Sequence, residues 1–217
     1  MDNRNSKRAS LLLLITFVVA MAGAGLALTL HWLVDTSFMP WTNYISDLSV
    51  GPNGSNIVFI IMMLGMAIAL APFFLFLARE LKSRYNVHGP ATFALIAGIV
   101  GCIDTIVMVF FPLDASKPVI YNIHIITGII IFLCMTCYLG AYGWVFLKKT
   151  NFPNILAILA CAASLCSFVF AILLALTELF DVLNQSAITY LIEWAAFGFF
   201  AVWQILTSLH LRKTPAE

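Results

Sequence analysis

Residues 40–56 read PWTNYISDLSVGPNGSN. This is the longest interruption between apolar runs in the chain, it contains no Lys or Arg, and it lies just beyond the first of those runs. Trp41, Tyr44, Ile45 and Leu48 recur at i, i+3, i+4 and i+7, which is one face of a short helix begun by Pro40. Thr42, Asn43, Ser46 and Asp47 fall on the other faces. Trp and Tyr favour the headgroup level of a bilayer. The spacing therefore predicts a short amphipathic helix that lies on the outer membrane surface or dips into the mouth of a bundle as a lid. Asp47 either gates such a mouth or stays in water, capping a neighbouring helix end. Gly51-Pro52-Asn53-Gly54 signals a turn, after which Asn53, Ser55 or Asn56 is placed to cap the next helix.

Composition says what surrounds that stretch. Of 217 residues, 62% are hydrophobic and 10% charged, and the mean hydropathy is +1.01. A soluble chain is about half apolar and about a quarter charged, so a soluble domain is excluded. The formal net charge of +1 gives no reason to invoke nucleic acid or an acidic partner. The length suits one membrane domain over residues 1–217, with no second domain.

A membrane span needs about 20 apolar residues. Six stretches qualify: 10–34, 56–78, 91–111, 120–147, 154–177 and 187–211. The fold class predicted is all-α, a six-transmembrane-helix bundle. Pro90 and Pro153 stand at first-turn positions, Pro112 closes the third span, and Pro72 is expected to kink the second. Basic residues give the orientation. Arg4, Lys7 and Arg8, then Arg79, Lys82 and Arg84, then Lys148 and Lys149, then Arg212 and Lys213 all fall on one side, leaving Lys117 alone on the other. The positive-inside rule makes the crowded side cytoplasmic, with both termini inside and the protein in the cell membrane. Asp35, Asp47, Asp114, Glu178 and Asp181 belong to the opposite, outer side. Ala22-Gly23-Ala24 resembles a signal-cleavage site, but the apolar run continues to Leu33, so an uncleaved anchor is expected.

Short inner loops make sequential helices antiparallel neighbours. Ala94/Gly98, Ala97/Gly101 and Ala160/Ser164 offer small residues at four-residue spacing for close approach, within one copy or between copies of a homo-oligomer. All five cysteines (Cys102, Cys134, Cys137, Cys161 and Cys166) fall inside apolar runs and read as packing residues, Cys134 and Cys137 included.

Within the spans, Asp104, His124 and Glu193 stand out. An ionisable group in hydrocarbon costs at least ~2.5–3.5 kcal/mol, so it faces protein or water and often marks function. All three fall in the outer half. Asp104 shares a face with Ala97 and Gly101, His124 with Thr127 and Gly128, and Glu193 with Thr189 and Gln204. They are expected to converge beneath the Trp41–Leu48 helix, to bind a metal or another ligand, to act as acid and base, or to cross-link helices. The ligand-binding candidates are Trp41, Tyr44, Asp47, Asp104, Asp114, His124 and Glu193, with Asp104, His124 and Glu193 the catalytic candidates if a reaction occurs.

Tyr44-Ile45-Ser46-Asp47-Leu48-Ser49, Phe111-Pro112-Leu113-Asp114, the His124 region and Ile192-Glu193-Trp194 follow one another along the six spans. Together they resemble a prokaryotic membrane family known as domain of unknown function family 998. The Ile-Ser-Asp core is also similar to the broader DRAM/Sfk-like family, whose members include autophagy modulators, a phospholipid-asymmetry factor and a GPI-anchor lipid remodelling factor. The resemblance implies a six-helix fold and a link to lipid handling, with Asp47, Asp114, His124 and Glu193 as signature positions. Ser49 stands where these families often have Gly.

The expected function is binding of a membrane lipid or amphiphile in an outer-leaflet pocket. Alternatives are an intramembrane lipid hydrolase or acyltransferase, and a proton-coupled transporter. No G-x-S-x-G nucleophile elbow occurs. His31 and His124 are the only outer-side histidines, so a metal set would be thin and no metal is assigned. Haem ligation would require those two to face each other, and no cofactor is assigned.

Overall fold

The computed structural model describes residues 3–148, 150–180, 182–184 and 186–213, without the side chains of residues 3–10, 12, 13, 16 and 213. Lys149 and Asp181 lie outside the described residues, as do the side chains of Arg4, Lys7, Arg8 and Lys213. The described chain forms α1 (Asn3–Trp32), α2 (Ser55–Tyr85), α3 (Gly89–Met108), α4 (Pro118–Lys148), α5 (Asn154–Leu174) and α6 (Ala187–Lys213), with no strand among the described residues. Helices α2 to α6 are each long and apolar enough to cross a membrane, α5 doing so with its extension to Leu179; the apolar part of α1 is the shorter Phe17–Trp32. The chain is an all-helical multi-pass membrane protein.

Local chemistry explains most boundaries. Pro90 lies in the first turn of α3 and Pro118 opens α4, where a missing N–H costs nothing. Pro153 comes one residue earlier than expected, as the residue preceding α5. Helix α2 continues through Pro72 to Tyr85, beyond the end of its apolar run. There Glu80 and Arg84 pair at 2.6 Å across one turn, which supports helix where hydropathy no longer does. The start of α2 differs from expectation: no side chain of Asn53, Ser55 or Asn56 caps it. Gly54 precedes it in the left-handed region (φ 79), as does Asn53 (φ 55), a conformation that glycine and asparagine tolerate. Asn53 instead donates Nδ2 to Leu30 O at 3.2 Å, tying the turn to α1.

Each helix packs on its neighbours in the chain, and α1 also packs on α6, which closes a six-membered ring. Small and hydroxylated residues set the approach. Ser164 Oγ donates to Thr136 O at 2.9 Å while Thr136 Oγ1 donates to Ser164 O at 3.4 Å, joining α4 and α5 in both directions. At the basic end of the ring, aromatic side chains fill the centre. Tyr142 lies 5.7 Å from Trp203 and Phe146 lies 4.3 Å from Phe152, ring centre to ring centre. Phe74 packs over Tyr138 at 4.8 Å and faces Gly98, where an added Cβ would sit 2.5 Å from the Phe74 ring. Gly98→Ala is therefore expected to lower the melting temperature in detergent by an overpacking cost of about 1–3 kcal/mol. An unchanged melting temperature would show that Phe74 moves freely.

Candidate functional site

The connection between α1 and α2 does not form the continuous helix that its spacing predicts. Residues 40–43 make turns, and a six-residue 3-10 helix begins only at Ile45 and runs to Val50. Two hydrogen bonds account for the difference. Asp47 Oδ2 accepts the Tyr44 N–H at 2.9 Å, while Tyr44 stays extended (φ −69, ψ 151). Trp194 Nε1 donates to Asn43 O at 3.0 Å, occupying a carbonyl that a longer helix would use itself. Trp41 and Tyr44 consequently part company: Trp41 is 54% exposed, whereas Tyr44 and Leu48 are 4% and 1% exposed. Of the two placements expected, the segment takes the second and plugs the mouth of the ring, packed on α1, α2 and α6.

Side chains from around the ring hold this plug. Glu193 Oε2 accepts the Ile45 N–H at 2.7 Å, and the Glu193 carboxylate also faces the Ser46 N–H. These are the first N–H groups of the 3-10 helix, which have no partner within it, so a carboxylate on α6 caps a helix in the loop. Ser49 Oγ accepts the Leu113 N–H at 3.0 Å from the α3–α4 connection. Trp32 Nε1 donates to Phe38 O at 2.6 Å from the end of α1. Tyr44 stacks edge-on with Tyr190, ring centres 4.6 Å apart, and its hydroxyl reaches Glu178 Oε1 at 3.4 Å. Glu178 Oε2 accepts from the Tyr121 hydroxyl at 2.5 Å. Glu178 lies on a π-turn, Ala175–Leu179, that continues α5, an irregularity often found at functional sites.

Burial dominates the loop electrostatics. It pushes the Asp47 carboxyl above its usual range, more than the Tyr44 N–H and the Asn43 side chain pull it down, and the Glu178 charge adds to the rise. Burial, with Glu178 and Glu193 nearby, also raises the Tyr44 hydroxyl. A carboxyl whose pKa is raised on folding stabilises the fold below its ordinary value of 3.8, and that contribution is lost as pH rises through the folded value. Asp47→Asn keeps an oxygen for the Tyr44 N–H and removes the charge. It is expected to raise the melting temperature at pH 7 by a few degrees, with the gain disappearing as wild type is brought below pH 4. A variant less stable than wild type at pH 7 would contradict this.

Beneath the plug, a narrow cavity runs along the ring axis. Its plug end is formed by Tyr44, Ile45, Ser46, His124 and Glu193, and its far end by Leu70, Phe74 and Tyr138. From Phe59 to Phe74 on α2, fifteen helical residues give a length of about 22 Å. Helices α2 to α6 all contribute to its wall. No lysine or arginine lines it, and away from its outer end the lining is almost wholly apolar.

The sequence candidates separate in space. His124 and Glu193 line this cavity together with Tyr44. His124 is 3% exposed, and its Nδ1 is 2.6 Å from Phe111 O. Asp47 stands beside the cavity as the cap of Tyr44. Asp104 is not brought to the other two: it is half-buried, does not line the cavity, sits near Cys134, and has an Oδ2 without a hydrogen-bond partner. Asp114 lines a groove between the α1–α2 and α3–α4 connections with Ser49 and Asn56. There its carboxylate accepts from Ser116 and pairs with Lys117 at 2.9 Å, and these partners hold its pKa down at about 2. His31 packs on Phe38 at 4.6 Å, outside the cavity lining. Among the described residues no three His, Cys, Asp or Glu side chains come together to hold a metal. Tyr121, Tyr190 and Trp194 were not singled out by spacing. Their signal is that each is an aromatic with a polar tip near the start of its helix.

A family model described as "Protein of unknown function (DUF998)" matches residues 18–210. The chain belongs to the DUF998 family. No curated protein and no solved structure matches it, so the similarity to the DRAM/Sfk-like family finds no support there. The matched range takes in the whole plug, the cavity and every residue that holds the one over the other, so in this DUF998 chain they lie within a single family unit.

Proposed function

We propose that this DUF998 protein binds a membrane lipid or similar amphiphile, with a hydrocarbon chain in the axial cavity and a polar head beneath the plug. In this reading α1 is the sixth span, both termini are cytoplasmic, and the plug faces the outer leaflet of the cell membrane. The observation that carries the proposal is the shape and lining of the cavity, long, thin and apolar with polar groups gathered at one end. An apolar void of this kind does not hold water well, and its walls lack dispersion contacts on one side. A hydrocarbon chain restores those contacts, and it is the most abundant molecule at that depth.

The head chemistry follows from charge. Glu193 and Tyr44 line the mouth, Glu178 and Tyr121 stand behind the Tyr44 hydroxyl, and no lysine or arginine is among the described lining residues. Such a mouth disfavours an anionic head and favours an ammonium or hydroxyl donor. An arriving donor competes with the Ile45 N–H for Glu193, so binding and opening of the plug are the same event. Binding is preferred over transport because the aromatic stack of Tyr142, Trp203, Phe146 and Phe152 fills the ring beyond the cavity.

The test is a thermal-shift titration in detergent with dioleoyl phosphatidylethanolamine and dioleoyl phosphatidylglycerol. The first is expected to stabilise the protein and the second to do so at least several-fold less, a difference reduced in Glu193→Gln. Equal stabilisation by both would overturn the head assignment.

A further inference from the structure

We infer that the amphiphile carries two chains, one in the axial cavity and the other in a seam between α1 and α6. The inference rests on the binding reading above and specifies its ligand. A second cavity lies against the first. It is formed by Ala20, Met21 and Ala24 of α1, Met62 of α2, and Gly198 and Ala201 of α6. Met21 and Gly198 are exposed, and an added Cβ at Gly198 would meet nothing within 4 Å, so the seam opens sideways on the outside of the ring.

The two cavities share a wall. Ile45, Phe59, Met63, Met66, Phe197 and Phe200 line both. Two of these are methionines, whose unbranched side chains change shape at little cost. Ile45 is also the one residue of the outer loop that lines both cavities, and its N–H is the group that Glu193 caps. Two apolar lobes thus run inward side by side from one polar point. A head at Ile45 and Glu193 with one chain in each lobe satisfies that arrangement. A single-chain amphiphile leaves the seam unfilled. A partner helix is too wide, being about 10 Å across with its side chains, because α1 and α6 already pack directly on each other.

The test uses a phosphatidylethanolamine with a photoreactive diazirine near the end of each chain, added to the full-length protein in detergent at one lipid per protein. After irradiation and digestion, one lipid is expected to join an axial peptide containing Met135 or Tyr138 to a seam peptide containing Ala20–Ala24 or Gly198. The joined product should exceed by at least tenfold any pair involving Ile96 or Ile103, which lie exposed on α3. Labelling of the axial peptide without a joined seam peptide would overturn the two-chain inference and leave the binding proposal standing. Absence of label on the axial peptide would overturn both.

Discussion

Ala67→Phe is expected to abolish lipid retention while leaving the fold intact. Ala67 is 1% exposed and lines the axial cavity midway between Met63 and Leu70 on α2. A phenyl ring there projects into the lumen that Met63, Ala67 and Leu70 line. The ring replaces the contacts that a chain would supply. Stability should therefore change little, or rise where the void is filled without strain, whereas a tight fit costs about 1–3 kcal/mol. Lipid that co-purifies with wild type should fall by at least tenfold, measured by quantitative lipid extraction alongside the melting temperature. A variant that melts normally and keeps its lipid would show that the chain lies elsewhere.

Glu193→Ala is the second large effect. Its carboxylate holds the start of the plug through the Ile45 N–H at 2.7 Å and faces the Ser46 N–H. Truncation leaves those partly buried donors without their acceptor, at up to about 1–3 kcal/mol for each unsatisfied group. The loss is local, since the plug's remaining ties run to Leu113, Trp194 and Glu178. Amide hydrogen exchange of residues 45–48 should accelerate by about 10- to 100-fold, the equivalent of about 1.4–2.8 kcal/mol, while the middle of α4 stays protected. Glu193→Gln keeps one acceptor oxygen and should fall between wild type and the alanine variant. Uniform acceleration through all helices would instead identify Glu193 as a general stabiliser of the bundle.

These two residues also mark what can be read from sequence and what cannot. Glu193 was legible because a carboxylate inside an apolar run must face protein or water, and it does so at 2% exposure. His124 was legible for the same reason. Asp104 satisfies the same rule in sequence, yet it lies one turn from the end of α3 on the flank of the ring. Hydropathy reports that a group is costly in hydrocarbon, not the direction in which its helix turns it. The plug shows a different limit. The i, i+3, i+4, i+7 pattern of Trp41, Tyr44, Ile45 and Leu48 describes an α-helix, but Asp47 holds the Tyr44 N–H and Trp194 holds the Asn43 carbonyl, and a shorter 3-10 turn results. Asp47 is a local partner, whereas Trp194 lies 151 residues away in the chain and leaves no local signature. Ala67 could not have been found at all, because an alanine in an apolar helix carries no sign of the empty space beside it. The spans α2 to α6 were legible from length and composition, since both are set by the bilayer, whereas the apolar part of α1, Phe17–Trp32, is shorter than the stretch expected over 10–34.

The central claim, that the axial cavity holds a lipid chain, is tested most directly by native mass spectrometry of the protein released from gentle detergent, with Ala67→Phe measured in parallel. The account predicts a discrete adduct of lipid mass at one per protein, present in wild type and absent from the variant. A bare wild-type protein, or an adduct that persists unchanged in Ala67→Phe, would contradict it.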